Sequence, residues 1–119
     1  MKAYLIDPYE TKVTEVEYSG NYEDIYKLID CRTFDCVGFR GFKDTIYIDD
    51  EGLYKEDKQF FVIDGSPTPL CGKALVLGTD KNGNSIEPKI SLTKLKSMID
   101  FIPEIFIIQA GTLWKQSSM

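Results

Sequence analysis

Asp49-Asp50-Glu51 is a run of three consecutive carboxylates, and Gly52 closes it. Paired carboxylates can divide acid and base roles, or hold a magnesium or calcium ion through oxygen. Neighbouring side chains point in different directions, so a working pair needs a partner from another segment. Asp35 and Asp64 are the available candidates, and the spacing brings neither to the run. The expectation is therefore a solvated turn whose acids bind rather than catalyse. A second candidate is Gly72-Lys73, where an ammonium beside a flexible glycine can meet an anion. The binding candidates are Asp49, Asp50, Glu51, Gly72 and Lys73. No catalytic residue, metal ligand or cofactor is assigned.

Other chemistries fail on residue type. The chain holds 0 histidines, which excludes imidazole acid–base work, Ser-His and Cys-His nucleophile pairs and histidine-based metal sites. A phosphate-binding P-loop ending at Gly72-Lys73 requires Gly at position 67 and a hydroxyl at 74, but Pro67 and Ala74 stand there. A calcium loop opening at Asp80 requires Gly at its sixth position and Glu at its twelfth, where Ser85 and Ser91 are found. Cys31, Cys36 and Cys71 lack a zinc spacing and are expected to be three reduced thiols in the core.

The net charge is −5, unevenly spread. Residues 1–60 carry 8 basic and 14 acidic side chains, whereas residues 61–119 carry 6 and 5. Phosphate-backbone binding needs clustered Lys and Arg, so direct nucleic-acid binding is not expected. An acidic half suits a basic protein partner instead. No stretch approaches the roughly 20 apolar residues of a membrane span. Met1–Pro8 meets a charge and a proline too early for a signal-peptide core, which points to a cytoplasmic protein.

The elements that must position these groups follow from periodicity. Strands are expected at 2–6 and 12–18, across a turn at Asp7-Pro8. Tyr22, Ile25, Tyr26 and Ile29 fall on one helical face, with Asn21 placed to cap it and the tyrosines contributing to the core. Residues 33–40 and 45–48 form a hairpin around 41–44, and 59–64 is either a strand or a helical turn. Residues 65–70, with two prolines, are loop, and 73–79 is a buried central strand. Asn82-Gly83 turns the chain into 85–87. Ser91 caps a helix through Leu92, Leu95, Met98 or Ile99, and Ile102, which Pro103 ends. The fold class is α+β: a small, mostly antiparallel sheet with two short helices packed on it. Residues 1–103 form one domain, and the apolar tail 104–119 is an edge strand or a contact between copies.

Tyr4-Leu5-Ile6-Asp7-Pro8, Glu15-Val16-Glu17-Tyr18, Ile48-Asp49-Asp50-Glu51-Gly52-Leu53 and Pro69–Gly78 together resemble a family of small proteins encoded by phages and mobile elements. That family is classed as a domain of unknown function. The similarity spans roughly residues 2–98, with Asp50-Glu51-Gly52 and Gly72 as its best-marked pieces. Cys71 stands where relatives often have a small residue such as Ala. The resemblance implies an α+β fold and a viral origin, and names no catalytic residue. The expected function is a non-enzymatic accessory protein in the cytoplasm of an infected host, binding a host or phage macromolecule through its acidic surface as an inhibitor. The alternative is a module that binds or sequesters a small ligand, a nucleotide or other anion, using the loop around Gly65–Lys73 and the turn at Asp49–Gly52.

Overall fold

The computed structural model describes residues 1–102. Pro103 and the tail 104–119, expected as an edge strand or a contact between copies, lie outside the described residues. The chain order is β1 (Lys2–Asp7), β2 (Lys12–Glu17), α1 (Glu23–Leu28), β3 (Phe34–Val37), β4 (Thr45–Asp49), a 3-10 turn (Gly52–Tyr54), β5 (Phe60–Ile63), β6 (Leu70–Cys71), β7 (Ala74–Thr79), β8 (Ser85–Ile86), α2 (Leu92–Met98) and β9 (Ile99–Ile102).

Every strand pair is antiparallel. The main sheet runs β2-β1-β7-β4-β3, with β8 also paired to β7, and a second sheet runs β6-β5-β9. The mostly antiparallel architecture expected from the sequence is present, divided into two sheets. β7 is the centre of the larger one. Its Ala74, Leu75, Val76 and Leu77 are all 0 % exposed, so this strand is covered on both faces and reads as a continuous apolar run.

Alternation along β7 assigns the two covers. Leu75 and Leu77 face Ile25 of α1 and Ile29 just after it, with Ala3 and Tyr18. Ala74 and Val76 face Phe61 and Ile63 of β5, Leu95 of α2 and Ile99 of β9. The uneven pattern of β2 is explained by the same layering, since Val13 joins the second cluster and Val16 packs on the first. Asn21 Oδ1 accepts from Glu23 N at 3.0 Å, which satisfies a donor in the first turn of α1. Tyr26 tilts onto Phe34 with centroids 5.0 Å apart, but Tyr22 precedes the helix and is 59 % exposed, so it is not part of the core.

Two expectations are corrected. The helix capped by Ser91, whose Oγ accepts from Lys94 N at 3.1 Å, stops at Met98. Ile99–Ile102 instead pairs with β5, from Ile63↔Ile99 to Phe60↔Ile102. The open edge of β5 offers ladder hydrogen bonds, and β-branched isoleucines suit an extended chain, so pairing overrides the helical spacing. The same pairing makes 60–63 a strand. The thiols also differ from expectation: Cys71 is buried, Cys31 is half-buried and Cys36 is exposed. β3 is the last strand of its sheet, and Cys36 lies one residue pair beyond the Phe34 position that α1 covers.

Candidate functional site

The acidic turn sits at the C-terminal end of β4, and its three carboxylates have separate fates. Asp49 is buried, with Oδ1 accepting from Glu51 N at 2.9 Å. Its Oδ2 lies 2.9 Å from Lys55 Nζ as an ion pair, at an angle outside hydrogen-bond geometry. Asp50 is exposed, and its N–H donates to Thr33 O at 3.1 Å. Glu51 receives Arg32 Nη2 at 3.2 and 3.0 Å, a surface pair worth at most about 1 kcal/mol.

Lys55 ties the turn to the end of α1. Its ammonium donates to the Asp30 carbonyl and stands 3.9 Å from the Asp30 carboxylate. Burial alone pulls this lysine's pKa down, but the Asp49 carboxylate, followed by Asp30, more than offsets it and holds the ammonium above the ordinary lysine range. Lys55 falls in the charged run Lys55–Lys58. Nothing in that run singles it out; only the fold brings it to Asp49.

The two glycine-marked segments meet. A Cβ on Gly52 would lie 2.9 Å from the Cys71 carbonyl oxygen, so this approach requires glycine. Cys71 Sγ donates to Gly52 O at 3.4 Å. Gly72 is buried beside Asp49, with φ +88. A hollow of about 160 Å³ lies between Asp49, Asp50 and Gly52 on one side and Pro69, Leu70 and Cys71 on the other. Lys73 turns away from it.

Lys73 instead lines a cleft of about 320 Å³ with Asp7, Tyr9, Glu10 and Asp57. Asp30 and Lys55 line this cleft and also a neighbouring one of about 380 Å³, which holds Cys31, Arg32, Asp49, Glu51 and Tyr54. Six carboxylates and three cations line the joined clefts. Of the five expected binding residues, Asp49 and Glu51 meet in one cleft and Lys73 enters the other. Asp50 and Gly72 stand at the margin. Beside the clefts the 3-10 turn presents Leu53, 63 % exposed, and Tyr54, 86 % exposed. Sequence reasoning missed both, although an apolar pair directly after an acidic turn was a visible signal.

Burial, with Asp49 and Asp30 adding to it against Lys55, raises the Cys31 thiol from 9.0 to about 11. The folded state then keeps a proton that the unfolded state releases. This contribution to stability is full below pH 9.0 and is lost as pH rises through about 11. Lys55 acts in the same direction above the ordinary lysine value of 10.5. Urea midpoints measured from pH 8 to 11 should fall, and Cys31→Ala should make the fall shallower; a midpoint that rises would contradict this arrangement.

No group of three or more Cys, Asp and Glu among the described residues is placed to hold a metal ion. No helix among them is long and apolar enough to cross a membrane. Comparison with curated proteins finds an uncharacterised protein, y4iR, of Sinorhizobium fredii, 30% identical over 92 residues, which cover 76% of this chain and 56% of the relative. The chain thus spans a little over half the length of that relative. No solved structure matches. A family profile described as a domain of unknown function, DUF3846, matches residues 1–100, and the chain belongs to that family.

Proposed function

We propose that this chain is a non-enzymatic accessory protein, of phage or mobile-element type, that binds a basic surface on a host or phage macromolecule and blocks it. It would act in the cytoplasm of the infected host. The observation that carries this reading is the exposed Tyr54, with exposed Leu53 beside it in sequence, on the wall of joined clefts lined by six carboxylates. Tyrosine offers large contact area at low entropic cost and is enriched among residues that dominate binding energy. The surrounding acids would steer a basic partner and select its register. The Asp49–Lys55 pair and the Gly52–Cys71 contact hold the turn in place before any partner arrives. Such preorganisation lowers the ordering cost of association.

Affinity capture from extract of the producing cell tests this, with wild-type protein and the Tyr54→Ala/Glu51→Lys variant compared side by side. Wild type should retain a basic protein that elutes with salt, and the variant should retain at least tenfold less. Equal retention, or an acidic partner, overturns the reading.

A second reading has one observation in its favour, the hollow between Gly52 and Cys71. There the chain would hold a small ligand, a nucleotide or other anion, between the glycine-marked loops. A melting temperature raised several degrees by a nucleotide would favour it.

A further inference from the structure

β4 has a buried aspartate at each end, Asp49 at the acidic cleft and Asp44 immediately before the strand. Asp44 Oδ1 accepts from Lys89 N at 2.8 Å, and Oδ2 accepts from Ile90 N at 2.9 Å. This clamp fastens the segment leading into α2 against the loop leading into β4. Between them is a pocket of about 300 Å³, with Phe42, Ile90 and Met98 as its apolar lining and Lys43, Lys89 and Lys94 as its cations. Phe39 stacks on Phe42 with centroids 5.0 Å apart and backs that wall.

Among the described residues the cations of this pocket lack an acidic counterpart. Asp44 is the one acid in the lining, and both its oxygens are taken by backbone N–H groups. None of the three lysines has a carboxylate within ion-pair distance among the described residues. Lys89 Nζ donates only to Thr79 O, at 3.3 Å. A chain of net charge −5 thus sets three lysines, with no carboxylate in ion-pair distance among the described residues, along one apolar hollow. A neutral apolar guest would leave that charge unused, and bare phosphate would leave the apolar lining uncovered. We propose that this pocket binds a small amphipathic anion, with an apolar ring or short chain in the hollow and one carboxylate, sulfonate or phosphate among the lysines. At roughly 30 Å³ per water-sized share, the volume suits a body of about ten non-hydrogen atoms. The site lies at the opposite end of β4 from the acidic cleft and does not depend on the function proposed for that cleft.

Titration of the full chain at low ionic strength, followed by amide chemical shifts, tests this with three probes: naphthalene-1-carboxylate, naphthalene-1-methanol and inorganic phosphate. The carboxylate should shift amides in 41–44 and 89–98, and should bind at least tenfold tighter than either other probe. Lys43→Gln/Lys94→Gln alters two exposed side chains, so its melting temperature should stay near that of wild type. It should weaken the carboxylate at least fivefold. Equal binding of the alcohol, shifts elsewhere in the chain, no binding below millimolar concentration, or full binding by the variant would each overturn the proposal.

Discussion

Asp44→Ala should lower the unfolding free energy by about 3–5 kcal/mol, since hydrogen bonds to an ionised acceptor contribute roughly 1.5–3 kcal/mol each and two donors lose theirs. Asp44 is 5% exposed, so water cannot easily replace it. The N–H groups of Lys89 and Ile90 would be left without their acceptors, in a segment that leads directly into α2. Leu95 of α2 is fully buried in the cluster between the two sheets, so loosening this lead-in also weakens the core. Asn at 44 preserves one acceptor and turns an amide donor toward the second N–H, and should recover less than half of the loss. Urea unfolding with an unchanged m-value checks both variants. A loss below about 1 kcal/mol for the alanine variant would mean that solvent already serves those donors.

The second large effect is expected at Asp49, whose side chain is 2% exposed while its partner Lys55 is 35% exposed. Asp49→Asn removes the carboxylate from the Lys55 ammonium, and Lys55→Met leaves a buried carboxylate without its cation. Breaking a fully buried pair from one side costs about 3–5 kcal/mol; the partial exposure of Lys55 reduces this to about 2–3 kcal/mol for either variant. Removing both charges should cost less than the two single losses together, by about 1–2 kcal/mol, because the second change relieves the penalty of the first. A double-mutant cycle measured by denaturant unfolding reads this directly. Strict additivity would show that the pair is a passive neighbour contact, and would leave the acidic turn without its anchor.

Much of the fold was legible because local patterns and tertiary demands agree. β7 reads as a buried strand in the sequence since both faces of Ala74–Leu77 are apolar, and the structure covers both faces. Asn82-Gly83 reads as a turn, and Asp80 completes it by accepting from Asn82 N and Asn84 N, each at 2.9 Å. Those hydrogen bonds hold the Asp80 carboxyl below its ordinary value, with the Asn84 amide as the largest cause. Agreement fails at Ile99–Ile102. Helical spacing and strand propensity compete there, and the open edge of β5 decides a contest that no local window contains. Cys36 was misjudged for a related reason. Apolar neighbours in sequence say nothing about whether a strand ends at the border of its sheet.

The candidate site was legible only in part. Asp49, Asp50, Glu51, Gly72 and Lys73 stand out as a carboxylate run and a glycine–lysine pair; Asp49, Glu51 and Lys73 line the two joined clefts, and Asp50 and Gly72 lie at their margin. Their roles were not legible. Asp49 is a buried anchor and not a solvated ligand, because Lys55 returns to it across the 3-10 turn. Tyr9, Asp30 and Arg32 join through packing alone, and their types carry no periodic or motif signal, whereas Tyr54 follows the acidic turn directly.

In the proposed function, the turn around Tyr54 is where this protein meets a macromolecule with a basic surface. Replacing Tyr54 with a photoreactive benzoyl-phenylalanine, and irradiating in extract of the producing cell, measures that contact directly. A discrete crosslinked product containing one basic protein, absent when the same label replaces exposed Glu15 on β2, is the predicted result. Identical products from both positions, or none from position 54, would contradict it.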